Sequence, residues 1–460
     1  MTIPWFAAAM ASMPLPGEKG ACAELLRAKI ARREVKLCVM GLGYVGLPLV
    51  HAATDAALFT FGLDTEAERI EALRGGRSYL KHAESSWIQP AVTEGRFIPT
   101  QELSCIREAD AILICVPTPL TESRDPDLSC VVSATEQITS HLRSGHLICL
   151  ESTTYPTTTR DVVLPVLERS GLKHGTDFFL AYSPERVDPG NKSWSPRDIP
   201  KVVGGLSGEA TELATSLYQL FLRTVVPVSS AEVAEAAKVL ENTFRAVNIA
   251  LVNEMKILCQ RMGIDIWEVI DAAKTKPFGF QPFYPGPGLG GHCVPIDPFY
   301  LTWIARRYGL TSRFIELAGE VNTSMPEHVV ETLISALSAR KLPVRGSRVA
   351  VLGLAYKPDI DDARESPSYY MIDLLLRRGA IVTYNDPHIA VMPTSHNSNL
   401  PALLSQELTA EYLSAQDCVV IATAHSDYDY AFIVEHSQIV VDTRNATRDV
   451  NRHRDRIVKA

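Results

Sequence analysis

A chain of 460 residues, 46% of them hydrophobic, is long enough for two or three domains with full cores. A formal net charge of −8 lacks the basic footprint of nucleic-acid binding, although local basic residues can still meet an anionic small molecule. Nine scattered cysteines, odd in number and without a CxxC pair, point to a reducing cytoplasm and away from a disulfide framework or a zinc site.

Residues 1–34 read as an N-terminal extension. The first stretch is apolar, lacks a basic leader and is broken by Pro4, Pro14 and Pro16. No run of about 18 apolar residues occurs anywhere, so no membrane span is expected.

Residues 35–229 read as a dinucleotide-binding unit. A short β-rich run, 35–40, leads into Gly41-Leu42-Gly43-Tyr44-Val45-Gly46. A helix follows with Pro48 in its first turn, then a strand, 59–63, ending at Asp64. The glycines admit a pyrophosphate to the helix N-terminus. Asp64 suits a free ribose hydroxyl and repels a 2′-phosphate, which selects NAD over NADP, with Arg69 weakening the preference slightly. Further apolar strands end in Pro117-Thr118-Pro119, in Glu151-Ser152-Thr153-Thr154 and in Ser183-Pro184-Glu185-Arg186. Polar residues at such ends line the ligand crevice, so Thr154 and Glu185 are site candidates as well as ordinary loop residues.

Residues 230–330 read as a central helical and dimerisation region. Ser230 to Met262 contains no Pro or Gly and repeats apolar residues at helical spacing, as a domain core or a dimer seam would. Lys238 and Asn242 share one helix face and could hold an oxyanion. Downstream, Pro285 to Pro298 packs glycines and prolines around Cys293 and Asp297. Such a loop is rigid and ligand-hugging; a thiolate in it can be a nucleophile and the carboxylate a base. The plainer reading is a turn-rich connector with an inert thiol.

Residues 331–460 read as a second nucleotide-type unit. A strand into Gly353, a helix over 366–378 and a strand ending at Asp386 echo the first unit, with the glycine fingerprint decayed to Ala355. Lys357, Arg364 and Arg444 are its basic candidates. The expected class is α/β, two Rossmann-like doubly wound units joined by a long central helix.

In combination, the glycine fingerprint, Ser-Pro-Glu-Arg, Lys238 with Asn242, Gly290-Gly291-His292-Cys293, and Lys357 with Arg364-Glu365-Ser366 resemble the UDP-glucose/GDP-mannose dehydrogenase family over nearly the whole chain, 35–444. The resemblance implies a cytoplasmic NAD enzyme that oxidises C6 of a UDP-sugar twice, supplying surface-polysaccharide precursors as a homodimer or larger homo-oligomer. It implies that Cys293 is the nucleophile, with Asp297, Lys238, Asn242, Glu185 and Thr154 also catalytic. Gly41, Gly43, Tyr44, Val45, Gly46, Asp64, Arg69, Thr118, Thr153 and Arg364 would bind NAD. Glu185, Arg186, Lys238, Asn242, Phe283, Tyr284, Gly290, Lys357 and Arg444 would bind substrate; no metal is implied.

Where UDP-glucose members tend to carry Gly-Gly-Ser-Cys and an Arg-Ile-Gly approach, this chain has His292 and Pro277-Phe278-Gly279-Phe280. That pattern resembles the branch acting on UDP-N-acetylhexosamines, with UDP-N-acetylglucosamine expected first. UDP-N-acetylmannosamine and UDP-glucose stand as alternatives, and a non-catalytic nucleotide-sugar-binding protein as a remote one.

Overall fold

The computed structural model describes residues 20–80, 85–121, 125–186, 197–291, 294–393 and 400–460. The chain forms two compact units, Met1–Leu240 and Glu241–Ala460, and their boundary falls inside the helix Ala231–Met262.

The first unit is built on an eight-stranded sheet. Its strands are β1 (Leu37–Met40), β2 (Thr60–Leu63), β3 (Phe97–Thr100), β4 (Ala111–Ile114), β5 (Leu147–Leu150), β6 (Phe179–Tyr182), β7 (Lys201–Gly205) and β8 (Val225–Pro227), in the order β3-β2-β1-β4-β5-β6-β7-β8. The first six strands carry the 3-2-1-4-5-6 order of a doubly wound dinucleotide fold. They are parallel, and β7 then runs antiparallel to β6. β1, β4, β5 and β6 are apolar and buried throughout, as strands covered by helices on both faces must be.

The second unit holds a five-stranded parallel sheet. β9 (Arg348–Leu352), β10 (Ile381–Asn385), β11 (Cys418–Ile421), β12 (Val440–Asp442) and β13 (Ile457–Lys459) are ordered β10-β9-β11-β12-β13. Relabelled from its own start this is 2-1-3-4-5, the other common doubly wound order. The expected fold class is therefore the one found.

Two strands lie outside the sequence expectation, and both are sheet edges. β3 contains Pro99, which an edge tolerates, and β13 is a half-exposed Ile-Val-Lys run. The 27-residue helix Arg313–Ala339 was equally unexpected, because Pro326 sits inside it.

Candidate active site

Within the first unit, adjacent pairing of β1 and β2 brings the turn after Met40 beside Asp64. The Asp64 carboxylate is buried, accepts from the Leu42 N–H at 2.8 Å and the Glu66 N–H at 3.0 Å, and takes Arg69 Nη1 at 3.3 Å. The glycines differ in what they require. A Cβ on Gly46 would stand 1.9 Å from the Gly41 carbonyl, so its absence is needed to close the turn. A Cβ on Gly43 would meet no protein atom within 4 Å, so its bare backbone leaves room for an incoming ligand. Tyr44 and Val45 complete the turn into the helix Gly46–Asp55. This cradle, with an acidic residue at the end of β2, fits NAD: the turn N–H groups would hold the pyrophosphate and Asp64 the ribose. We expect Asp64→Asn to lower the ratio of NAD to NADP turnover. Equal use of both cofactors by the unmodified protein would contradict the assignment.

The ends of β4, β5 and β6 carry Thr118, Thr153, Thr154, Glu185 and Arg186 in one row. Thr118 Oγ1 donates to the Thr153 carbonyl at 2.7 Å and joins two of the loops. Thr154 is fully buried, and its hydroxyl has no hydrogen-bond partner among the described residues.

Behind this row lies a charged cluster that sequence reasoning missed. Lys201 donates to Glu151 at 2.5 Å and to Glu185 at 3.1 Å, and Tyr218 donates its hydroxyl to Glu151. Lys201 and Glu151 are 4% and 1% exposed. Burial opposes the charge on Lys201, but the two carboxylates overcome it and push its pKa up. Burial likewise pushes Glu151 up, with Lys201 pulling against it. The ammonium thus fixes the position of Glu185. Glu235, also missed, accepts from the N–H groups of Thr157 (2.6 Å) and Thr159 (2.8 Å) and holds the turn that follows Thr154. Burial raises its pKa to about 7 despite the Thr159 and Thr157 donors. The signal was present: a glutamate directly follows the apolar run 147–150, and a lysine opens the apolar strand 201–205.

Lys238 and Asn242 lie on one continuous helix, about 6 Å apart along its axis, and both are buried. In the second unit Asn242 Nδ2 donates to Asp297 Oδ2 at 2.5 Å. Asp297 is 2% exposed and opens the helix Asp297–Arg307, whose N-terminal dipole favours a carboxylate. Asn242 therefore positions Asp297, a role its spacing from Lys238 did not reveal. Cys293 and His292 lie outside the described residues.

The glycines before Cys293 serve packing first. A Cβ on Gly290 would come within 2.5 Å of the Tyr356 side chain, and one on Gly286 within 2.4 Å of Arg444 Nη1. Gly291 N–H also donates to the Arg364 carbonyl at 2.9 Å. These glycines fit the loop backbone against the segments after β9 and β12. Nearby, Phe283 packs edge-on against Phe244, and Tyr284 stacks on Trp267 with ring centroids 5.5 Å apart.

Lys357 and Arg364 both fall in the segment after β9. The Arg364 guanidinium is clamped by Asp362 at 2.6–3.0 Å. Arg444 follows β12 and donates from Nε to the Ala422 carbonyl at 3.1 Å. The internal echo is structural as well: Asp386 accepts from the Leu354 and Ala355 N–H groups, as Asp64 accepts from Leu42. Here, however, His425 Nε2 also bonds Asp386 at 3.2 Å. Burial opposes ionisation of Asp386, but the His425 bond and the Ala355 N–H hold its pKa down. Among the described residues, Asp359, His388 and His425 bring three potential metal-ligand atoms within 4.8 Å of one another. Both His425 nitrogens are already engaged, by Asp386 and by the Asp359 N–H, so it has no lone pair to offer.

Among the described residues no helix is long and apolar enough to cross a membrane. Three family models match in order: the UDP-glucose/GDP-mannose dehydrogenase family NAD binding domain at 35–222, its central domain at 232–324 and its UDP binding domain at 350–449. The chain is 36% identical over 398 residues to a UDP-N-acetyl-D-glucosamine 6-dehydrogenase of Pseudomonas aeruginosa, covering 86% of this chain and 92% of that one. It is 31% identical to a UDP-N-acetyl-D-mannosamine dehydrogenase of Methanococcus maripaludis, covering 89% and 92%. A solved UDP-D-ManNAc dehydrogenase from Pyrococcus horikoshii superposes with a TM-score of 0.81 at 30% identity, covering 89% of this chain and 96% of the other. A dinucleotide cradle in the first unit, a buried amide–carboxylate pair beside a glycine loop in the second, and matches along almost the whole length place this chain in the UDP-glucose/GDP-mannose dehydrogenase family of NAD-dependent oxidoreductases.

Proposed function

We propose that this protein oxidises C6 of a UDP-N-acetylhexosamine, UDP-N-acetylglucosamine first, to the uronic acid in two successive steps at one site. The observation that carries the reading is the buried Asn242–Asp297 pair, a carboxylate held in place four residues after Cys293. NAD, when bound, supplies the hydride acceptor for each oxidation. Asp297 takes the proton of the C6 hydroxyl, through water, as the alcohol becomes an aldehyde. The Cys293 thiolate adds to the aldehyde carbon and retains it as a thiohemiacetal. Lys238 stabilises the negative oxygen. After the second oxidation the carbon is a thioester, and water set by Thr154 and Glu185 cleaves it to the carboxylate and the free thiol. The thiol distinguishes four-electron oxidation from a dehydrogenase that stops at the aldehyde.

The preference for the gluco epimer is supported by the higher identity to the Pseudomonas relative. The Methanococcus and Pyrococcus relatives favour UDP-N-acetylmannosamine as the second reading. A panel of UDP-sugars, with NADH counted per sugar and the product weighed by mass spectrometry, decides between them. Two NADH per UDP-N-acetylglucosamine is the expected result. One NADH with aldehyde as product, or none with any UDP-sugar, would overturn the proposal.

A homodimer belongs to the same reading. Val233, Leu240, Phe244, Leu251, Met255, Leu258 and Met262 are exposed on the central helix at intervals of seven, four, seven, four, three and four residues. Leu240 and Met262 are 64% and 61% exposed. Such a stripe is the seam of helix pairing, and a second copy of the same helix offers its match. Light scattering at micromolar concentration should give twice the monomer mass. A fully active monomer would contradict it.

A further inference from the structure

The turn that carries Thr154 is bent in a way its own residues resist. Thr157 has a φ of 88°, a left-handed conformation that a β-branched residue takes only when its surroundings impose it. The chain then enters a π-helical turn, Thr159–Val163, a form frequent at functional sites. The hydroxyls of Thr154 and Thr157 are buried, and neither has a hydrogen-bond partner among the described residues. A buried hydroxyl left unpaired costs free energy, and a ligand or water that supplies the missing bond recovers it.

What holds this turn comes from the central helix. Glu235 is fully buried there. Its Oε2 accepts from the Thr157 N–H at 2.6 Å, and its Oε1 from the Thr159 N–H at 2.8 Å and the Thr159 hydroxyl at 2.6 Å. The N–H of the strained residue is thus one of the three donors. Among the described residues no cation pairs with Glu235, so these neutral donors alone offset the burial of its carboxylate. All three partners donate. A glutamine would turn its own NH2 toward at least one of them, whichever way its amide is flipped.

We infer that Glu235 is a positioning residue: it clamps the strained Thr157 turn to the central helix and so holds the Thr154 hydroxyl in place for cleavage of the thioester. The inference rests on the two-step oxidation proposed above. Strain at Thr157 keeps the turn poised to relax, and relaxation would carry Thr154 away from the row at the ends of β4, β5 and β6.

The test is turnover of the full-length Glu235→Gln variant with UDP-N-acetylglucosamine and NAD. Both oxidations precede the cleavage, so the first turnover should still release two NADH per site. Steady-state kcat should fall at least tenfold while kcat/KM for the sugar stays within threefold, and mass spectrometry should find the thioester held on the protein. Thr157→Gly removes the strain that Glu235 opposes, because glycine takes positive φ freely. Adding Glu235→Gln to Thr157→Gly should therefore lower kcat no more than threefold. Equal losses with and without Thr157→Gly, or a kcat of Glu235→Gln within twofold of the unmodified enzyme, would overturn the inference. Thr159→Val removes one donor and keeps the side-chain shape, and it serves if the glutamine variant does not fold. It should lower kcat at least threefold, and an unchanged kcat would overturn the inference. Hydrogen exchange at the Thr157 and Thr159 amides reads the clamp without turnover. Glu235→Gln should speed it at least tenfold, and unchanged exchange would overturn the clamp. Faster exchange in a protein that oxidises no UDP-sugar would overturn the proposed function and leave the clamp standing.

Discussion

Cys293→Ala should abolish formation of the uronic acid while leaving a folded protein that still binds NAD. Alanine can form neither the thiohemiacetal nor the thioester, so the second oxidation has no covalent route. The first hydride transfer needs no thiol, and traces of aldehyde are expected. Losing the covalent route should cost several kcal/mol of barrier, where about 1.4 kcal/mol is tenfold in rate. Cys293→Ser should behave differently. Its alkoxide can form the hemiacetal and the ester, but the ester is cleaved slowly because an alkoxide leaves less readily than a thiolate. Serine should therefore stall at a tightly held or covalent intermediate, visible by mass. Acid production by the alanine variant within about tenfold of the unmodified rate would return Cys293 to the status of a packed loop residue.

Lys201→Met should cost about 3–5 kcal/mol of stability, because it strands the carboxylates of Glu151 and Glu185 without their shared cation. The pH dependence has a definite sign. The pKa of Lys201 is raised in the folded protein, so its contribution is present at neutral pH and fades only as the pH climbs through that raised value. In the variant, Glu151 keeps its burial and loses the ammonium that pulled its pKa down, so it folds best protonated. The deficit should therefore be smaller near about pH 5 than near about pH 8. Urea melts at the two values measure it, and equal stability of variant and unmodified protein at the higher pH would show the cluster to be dispensable. Because Lys201 also holds Glu185, turnover should fall further than the fraction unfolded accounts for.

The parts of this architecture that follow a local rule were legible. The strand–glycine turn–helix–strand–aspartate run from Leu37 to Asp64 is such a part, because each piece must lie next to its neighbour in sequence to bind a dinucleotide. The helix Ala231–Met262 is another, uninterrupted by Pro or Gly. What stayed hidden depends on distant residues. Lys201 and Glu151 are 50 positions apart, and Tyr218 and Glu151 are 67 apart, so nothing local announces their meeting. Asn242 and Asp297 were each singled out, yet their bond across 55 positions was not. Pro326 hid a long helix because proline usually ends a helix, whereas here it sits inside one.

The docking of Gly286 and Gly290 onto Arg444 and Tyr356 bears on how this enzyme could be re-engineered. At positions 286 and 290 the loop clears its neighbours only because glycine has no β-carbon, so the two surfaces are a matched pair there. Grafting the Cys293 loop of a relative with another sugar preference, and nothing else, would place a foreign profile on an unaltered floor. A workable transplant must carry three stretches that are remote in sequence: 284–298, 354–367 and 442–447. Single-loop chimeras that bring larger residues to positions 286 and 290 should therefore misfit locally against Arg444 and Tyr356.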